Sequence, residues 1–166
     1  MKLYLVRHGE SECNVQRRLY GRTDCSLTEQ GCRQAREVGE KRNVRIELDD
    51  DLMEQHMGEL ENQPLEDMLR EQPEIVNAMF SDWTTVVPPG GESCESLRER
   101  VAGGIERVAA RGLDTMLVAH NGPLSTILMM LLEMPNSAVN RLWFEQGCWS
   151  CVELREDGKP RLLYFN

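Results

Sequence analysis

Two short apolar runs of this sequence each end in a histidine that is followed closely by a glycine. The first run, KLYLV, leads through one arginine into His8, and the second run, TMLVA, leads directly into His120. Both runs are rich in β-forming residues and predict buried strands. In parallel α/β sheets ligands bind beyond the carboxyl ends of the strands, and adjacent strands would bring the two histidines together. The sequence therefore predicts a site with two imidazoles.

The residues around these histidines are suited to phosphoryl transfer. Arg7 offers a fork of donors that matches phosphate oxygens. A neutral His8 can attack phosphorus and hold the phosphoryl group covalently, while a cationic His120 would neutralise developing charge. Asn14 can donate through its amide. One carboxylate could protonate the leaving alkoxide and later activate water. The turns after both strands also offer free backbone N–H groups to an anion.

Two other interpretations of the histidines remain open. Both could be structural residues at strand ends. Alternatively, His8, His120 and His56 could join nearby carboxylates in a metal hydrolase. The sequence has no H-E-x-x-H or comparable ligand spacing, and the arginine beside His8 would repel a cation. We therefore expect no metal and no cofactor, because arginine and histidine supply the positive charge.

Composition restricts the class of partner. The chain has 166 residues, a formal net charge of -9 and a pI of about 4.9. This balance argues against nucleic-acid binding, but locally converging arginines could still bind a small phosphate ester. No apolar stretch is long enough to span a bilayer, and the N-terminus does not resemble a signal peptide. We expect a cytoplasmic protein with no membrane partner, and the sequence leaves its oligomeric state open.

The six cysteines follow no zinc-site spacing. Cys148 and Cys151 form a C-x-x-C, but they lie in a predicted strand rather than at a helix N-terminus, where a thiol pKa would be lowered. We expect free cytosolic thiols throughout.

Strands alternate with helices along the chain. Helices are predicted from Leu27, from Ser93 or Glu95, and from Pro123; besides the two apolar runs, strands are predicted at 44–48, 149–154 and 161–165, with Asp157-Gly158 as a turn. This order predicts an α/β fold, a three-layer α/β/α sandwich with a mostly parallel sheet. A single domain over residues 1–166 is expected, with a helical cap-like insertion at about 61–90.

Five blocks, in order along nearly the whole chain, resemble the histidine phosphatase superfamily, also called phosphoglycerate mutase-like. They are RHGES at 7–11 with Asn14, GRTDCSLTEQG at 21–31, LMEQHMGELE at 52–61, PGGES at 89–93 and VAHNG at 118–122. The resemblance implies a phosphoric monoester hydrolase of the histidine acid phosphatase type, with His8 as the phosphorylated nucleophile.

The same resemblance implies roles for the other residues. Arg7, Asn14 and His120 would hold the phosphoryl group, with Asn121 beside them in the substrate site. Glu54 would act first as the acid and then as the base. Further residues would lie near the substrate mouth: Tyr20, Gly21 and Glu92.

Within the superfamily, the sequence most resembles the α-ribazole phosphatase group of cobalamin synthesis. The resemblance rests on FSDW at 80–83, EQGCWS at 145–150 and LYFN at 163–166. It implies hydrolysis of α-ribazole 5′-phosphate or its adenosylcobalamin-level counterpart. A broad-specificity or sugar phosphatase, a phosphoglycerate mutase and a non-catalytic binding protein are alternatives.

One departure from the family pattern falls at about residues 41–43. Family members carry a strand, a Ser-Ser-Pro-type turn and a second phosphate-binding arginine there, and this sequence lacks them. A segment could be omitted, the chain could carry a deletion and rely on Arg18, Arg22 or Arg42, or the activity could be impaired. Omission is favoured, since a gap in the sheet would leave ladder groups unpaired.

Overall fold

The computed structural model describes residues 1–39 and 45–166. Its centre is a four-stranded sheet in the order β4-β1-β5-β6. The strands are β1 (Lys2–Arg7), β4 (Thr115–Ala119), β5 (Trp149–Glu153) and β6 (Arg161–Tyr164). A second sheet pairs two short strands, β2 (Arg18–Leu19) and β3 (Gln63–Pro64). The predicted apolar strands and the closing pair of strands are therefore present.

The central sheet is mixed rather than mostly parallel as predicted. β1 runs parallel to β4, but β5 pairs antiparallel with β1, and β6 pairs antiparallel with β5. The antiparallel direction of β6 follows from the tight turn at 157–158, which returns the chain beside β5. A connection this short can only join antiparallel strands.

The helices cover both faces of the sheet, in agreement with the predicted α/β class. Leu3 and Leu5 of β1 pack with apolar residues of two helices in the main core, and α2 borders the opposite face near Tyr4. The helices are α1 (Glu12–Val15), α2 (Glu29–Gly39), α3 (Leu65–Glu71), α4 (Pro73–Asp82), α5 (Cys94–Ala110) and α6 (Asn121–Leu131). Short 3-10 helices span Asp50–Leu52, Gly58–Leu60, Trp83–Thr85 and Asn136–Arg141.

α5 begins where the sequence predicts it. Ser93 is the N-cap, and its side chain accepts a hydrogen bond from the backbone N–H of Ser96 at 3.0 Å. Such a cap satisfies one of the free amides at the start of a helix. Leu97, Val101 and Ile105 then face the core from one side of the helix.

The strand predicted at 44–48 is wrong for the residues that the structure describes. Residues 45–49 have no regular structure, and Ile46 and Leu48 are 84% and 96% exposed. Ion pairs hold this segment beside α5 instead: Arg111 contacts Glu47 at 2.7 Å, and Arg107 contacts Asp49 at 3.1 Å. The charged residues of this alternating pattern thus form ion pairs, whereas its apolar residues Ile46 and Leu48 are not buried.

The expectation that all six cysteines are free is also wrong. Cys13 and Cys25 form a disulfide, and the other four cysteines are unpaired. The pairing follows from backbone contacts that join α1 to the loop before α2. The N–H of Glu12 donates to the carbonyl of Ser26 at 3.0 Å, and Ser11 forms a β-bridge with Leu27.

The range 61–90 contains α3 and α4, whose residues Met68 and Val76 pack in a small second core around Leu60. The single-domain organisation with a cap-like insertion in this range stays a prediction. Within the described part of the chain, no helix has the length and apolarity that a bilayer crossing requires.

The packing of β1 predicts a strong dependence of stability on Leu5, which is fully buried. Leu5→Ala should lower the free energy of unfolding by about 2–5 kcal/mol, because it deletes buried methyl groups and leaves a cavity. Leu163→Ala in β6 is the matched control, since this side chain is 46% exposed and should cost under about 1 kcal/mol. Urea denaturation measures both, and equal losses would contradict the assignment of the core.

Candidate active site

The register of β1 with β4 positions the two histidines. Arg7 lies opposite Ala119 in this parallel pair, so the next residue of each strand emerges at the same edge. The N–H of His8 extends the ladder by donating to the carbonyl of Ala119 at 3.0 Å. The ring centroids of His8 and His120 are 4.7 Å apart. The two strand ends therefore meet as the sequence predicts.

The hydrogen bond at one ring nitrogen of His8 leaves the other one free. Nδ1 lies 2.7 Å from the carbonyl oxygen of Gly9. A carbonyl only accepts, so we assign the proton of the neutral ring to Nδ1. Nε2 then keeps its lone pair, and this atom is buried without a partner in residues 1–39 and 45–166. Nε2 is therefore the ring nitrogen with a lone pair available to a ligand.

Arg7 is buried with one donor directed at the main chain. Its side chain is 7% exposed, Nη1 donates to the carbonyl of Phe144 at 2.8 Å, and Nε lacks a partner among the described residues. The guanidinium carbon lies 4.5 Å from the ring centroid of Trp143. Cation–π stacking therefore fixes one face of the guanidinium. The free Nε–H, like the buried Nδ1 of His120 that also has no partner there, can serve an anion.

The start of α6 holds the carboxylate of Glu54. Oε2 accepts from the N–H of Gly122 at 3.1 Å, and Oε1 accepts from the N–H of Gln55 at 2.9 Å. A Cβ on residue 122 would lie 2.1 Å from Oε1, so this approach requires glycine. Burial raises the pKa of Glu54 despite these two hydrogen bonds. The carboxyl is thus suited to hold a proton and give it up.

Arg100 of α5 holds the main chain at Glu54, and no sequence pattern indicated this contact. Nη2 donates to the carbonyl of Glu54 at 2.9 Å, and Nη1 donates to the carbonyls of Asp51 and Met53 at 2.8 and 2.7 Å. Two further bonds, of 2.7 and 2.9 Å, reach the carboxylate of Glu92. A charged residue in an amphipathic helix predicts only an exposed face, so this contact depends on tertiary packing.

The side chain of Asn14 makes several hydrogen bonds beside the two histidines. Its Oδ1 accepts from the N–H of Ser11 at 2.9 Å and from Nε2 of Gln146 at 2.6 Å. Its Nδ2 donates to the hydroxyl of Tyr20, whose ring lies 6.4 Å from that of His8. One N–H of the Asn14 amide is thus used, and the second can serve a ligand.

The mouth of the site is a loop that one carboxylate organises. Glu61 accepts hydrogen bonds from the backbone N–H groups of Gly21, Arg22 and Thr23 at 2.9–3.3 Å, and from the hydroxyl of Thr23 at 2.5 Å. Burial alone would raise its pKa, but these donors lower it to about 2. A Cβ on Gly21 would lie 1.8 Å from the carbonyl oxygen of Gln55, so the loop packs directly beside the acid.

Glu92 and Asn121 both make hydrogen bonds within the protein, and their predicted roles in substrate binding stay predictions. Glu92 accepts from the N–H of His56 at 3.2 Å, and its contacts with Arg100 outweigh burial and lower its pKa. Asn121 was expected to bind substrate. Its Oδ1 accepts from the N–H of Phe144 at 2.9 Å, and its Nδ2 donates to the carbonyl of Leu142 at 3.4 Å. Both polar atoms of Asn121 therefore hold the loop that carries Trp143.

The family model described as Histidine phosphatase superfamily (branch 1) matches residues 3–41 and 36–166. The chain belongs to this superfamily. The adenosylcobalamin/α-ribazole phosphatase of Salmonella typhimurium (strain LT2) is 31% identical over 185 residues, which cover 94% of this chain and 92% of that protein. A Yersinia pestis (strain Pestoides F) protein named probable phosphoglycerate mutase GpmB is 30% identical over 94% of this chain and 86% of its own length.

A solved structure agrees with this membership in the histidine phosphatase superfamily. The α-ribazole phosphatase of Shigella flexneri superposes with a TM-score of 0.88 at 26% identity, covering 100% of this chain and 96% of that one. The predicted phosphoglycerate mutase-like fold is confirmed. Several relatives in this superfamily are named phosphatases, which supports the prediction that this chain is a hydrolase.

The departure from the superfamily pattern at 41–43 lies outside the described residues. The alignment with the Salmonella relative spans 185 residues, more than the 166 of this chain. The family model matches in two segments that meet at 36–41. Both findings are consistent with a strand, turn and arginine of the superfamily that have no counterpart here.

Burial makes both imidazoles of this histidine phosphatase poor bases. It lowers the pKa of His8 to about 4, with further lowering from His120 and Arg7. It also lowers the pKa of His120 to about 4, with further lowering from Arg7 and Arg100. Both rings are therefore neutral at pH 7. This suits His8 as a nucleophile, whereas the cationic His120 expected from the sequence is not its state in the ligand-free site. In residues 1–39 and 45–166, no three His, Cys, Asp or Glu side chains cluster as a metal site would need.

These lowered pKa values predict that stability falls with pH below neutrality. The unfolded chain takes up protons near pH 6.5, whereas the folded imidazoles resist protonation until about pH 4. The free energy of unfolding should therefore fall as the pH drops from about 6.5 to 4, by up to about 3 kcal/mol for one imidazole. Urea titrations of the wild type and of a His8→Asn/His120→Asn double variant measure this. The variant should lose less stability than the wild type over that range, and parallel curves would contradict the assignment.

Proposed function

We propose that the chain hydrolyses a phosphate monoester through a phosphohistidine on His8. The main support for this proposal is that Nε2 of His8 is buried and has no partner among the described residues. The carbonyl of Gly9 accepts a hydrogen bond from Nδ1 and so favours the tautomer in which Nδ1 holds the proton. A lone pair in that position can attack phosphorus without prior loss of a proton. The ring of His120 packs beside that of His8, with the two ring centroids 4.7 Å apart.

The first step transfers the phosphoryl group to the protein. Nε2 of His8 forms a bond to phosphorus while the ester P–O bond breaks, and the proton of Glu54 passes to the leaving alkoxide. Arg7, Asn14 and His120 donate to the phosphoryl oxygens, on which the charge is spread in the transition state. The raised pKa of Glu54 supports the acid role, because the carboxyl must be protonated when the step begins.

The second step releases the phosphate. The Glu54 carboxylate, now deprotonated, takes a proton from a water that attacks phosphorus, and the N–P bond breaks with its electron pair returning to His8. Inorganic phosphate leaves and Glu54 is protonated again. No group beyond the side chains of this chain and water is needed for the balance.

The substrate class that we propose is α-ribazole 5′-phosphate or its adenosylcobalamin-level counterpart. Support comes from the relative of that name at 31% identity over most of both chains. The indole of Trp143, which is 58% exposed beside Arg7, offers a stacking surface for an aromatic base on the leaving group. The proposed partner is thus a small-molecule phosphate ester.

A mutase is the second candidate, because one relative is named a probable phosphoglycerate mutase. A mutase must bind a second acidic group, and the segment 54–83 has one basic side chain besides His56, namely Arg70. Arg70 is ion-paired with Asp67 at 2.8 Å. Hydrolysis is therefore favoured. Release of inorganic phosphate, rather than transfer to a second position of the substrate, separates the two.

His8→Ala should abolish turnover of p-nitrophenyl phosphate, since it removes the nucleophile. Acid quenching of the wild type with 32P-labelled substrate should leave acid-labile phosphate on the protein, and the variant should carry none. α-Ribazole 5′-phosphate should exceed sugar phosphates in kcat/KM. Equal labelling of wild type and variant would rule out His8 as the covalent residue, and equal kcat/KM values would favour a broad-specificity phosphatase.

Glu54→Gln should affect substrates according to their leaving group. An alkoxide needs a proton as it departs, whereas p-nitrophenolate does not, so kcat for an alkyl phosphate should fall by about 10²–10⁴. The single-turnover rate of labelling by p-nitrophenyl phosphate should fall far less. Glu59→Gln, on the same segment, is the control and should leave both rates unchanged. An equal loss on both substrates would contradict the acid role.

A further inference from the structure

Among residues 1–39 and 45–166, the ligand-free site offers a phosphate dianion one permanent positive charge with a free donor, that of Arg7. Both imidazoles of the ligand-free site are neutral near pH 7, because burial lowers each pKa to about 4. The inference below rests on the proposed phosphatase activity, which requires such a dianion to bind. Buried or half-buried charges are unfavourable unless they are paired. A second cationic group near the mouth would meet this need.

The described arginines near the site differ in how many of their guanidinium N–H groups already make hydrogen bonds. Arg100 makes five hydrogen bonds to carbonyls and to Glu92, so none is left for substrate. Arg18 is bonded to Gln16 and Asn62 on the exposed side of β2. Arg22 has a single ionic contact among the described residues, to Glu92 at 3.8 Å, which is longer than a hydrogen bond.

The backbone of Arg22 directly follows two site residues. Tyr20, two positions earlier, has its ring 6.4 Å from that of His8, and the adjacent Gly21 packs against the carbonyl of Gln55, next to the acid. Glu61 accepts from the N–H of Arg22 itself at 2.9 Å. The side chain is 43% exposed, so it can reorient while its Cα stays at the mouth.

We propose that Arg22 is the second guanidinium of the phosphate site, binding a non-bridging oxygen of the substrate. On binding, its 3.8 Å contact with Glu92 is exchanged for a charge-assisted hydrogen bond to phosphate. Glu92 loses little, because Arg100 contacts both of its carboxylate oxygens at 2.7 and 2.9 Å.

Binding of inorganic phosphate tests this directly, by calorimetry at pH 7 and constant ionic strength. Arg22→Ala should weaken binding about 10- to 100-fold, the usual range for losing a hydrogen bond to a charged group. Arg18→Ala removes the same charge from a nearby exposed position and should change binding less than 2-fold. Arg22→Lys should recover part of the affinity, as a point charge without the fork. Equal affinities for Arg22→Ala and wild type would overturn the proposal.

Chemical rescue separates a direct contact from a structural one. Free guanidinium in the millimolar range should raise kcat/KM of Arg22→Ala and leave wild type and Arg18→Ala unchanged. A loss of activity in Arg22→Ala that guanidinium does not restore would also overturn the proposal.

Failure of this inference and failure of the proposed function give different results. If His8→Ala abolishes turnover but Arg22→Ala binds phosphate normally, the function stands and the inference falls. If the wild type turns over no phosphate ester, the function falls, and the inference stands only where Arg22→Ala still weakens phosphate binding.

Discussion

The parallel pairing of β1 with β4 is the constraint on which the site depends. Adjacent strands lie about 4.8 Å apart, and the rings of His8 and His120, one residue beyond the paired ends, lie 4.7 Å apart. The pairing of the two strands thus places the two imidazoles side by side at one edge of the sheet. Leu5 and Leu117, opposite each other in the register, are buried under α5 and α6 and keep the two strands aligned.

Burial then sets the protonation states of the site in opposite directions. Desolvation disfavours whichever form is charged, so it lowers the pKa of His8 and raises that of Glu54. One physical cause therefore keeps His8 neutral and makes Glu54 easier to protonate. The proposed attack on a phosphate ester needs this pairing, and a more open site would bring both pKa values back toward their ordinary values.

The sequence predicted those parts of the site that local patterns determine. Each histidine follows an apolar strand, so its location at a strand end could be inferred from the chain itself, and the superfamily resemblance singled out Glu54. Arg100 and Glu61 could not be found in this way, because most of their contacts come from residues 38–49 positions away. A lone charge in a helix or loop also has no local signature. The strand expected at 44–48 failed for a related reason. Alternating apolar and charged residues predict a strand with one apolar face, but such a strand forms only when a neighbouring strand pairs with it. Residues 45–49 make ion pairs with arginines of α5 and its C-terminal end instead.

The same distinction between local and overall properties explains how an acidic chain can offer an anion site. The net charge is -9, yet each carboxylate near the pocket is already committed. Glu61 is surrounded by backbone N–H groups, Glu92 is bound by Arg100, and Glu54 is inclined to hold its proton. Their negative charge is therefore compensated or absent, whereas the free Nε–H of Arg7 has no partner among the described residues. The electrostatic potential at a bound phosphate depends on these nearby free donors rather than on the net charge of the chain. A low pI therefore argues against a broad basic surface, but it does not argue against a single phosphate pocket.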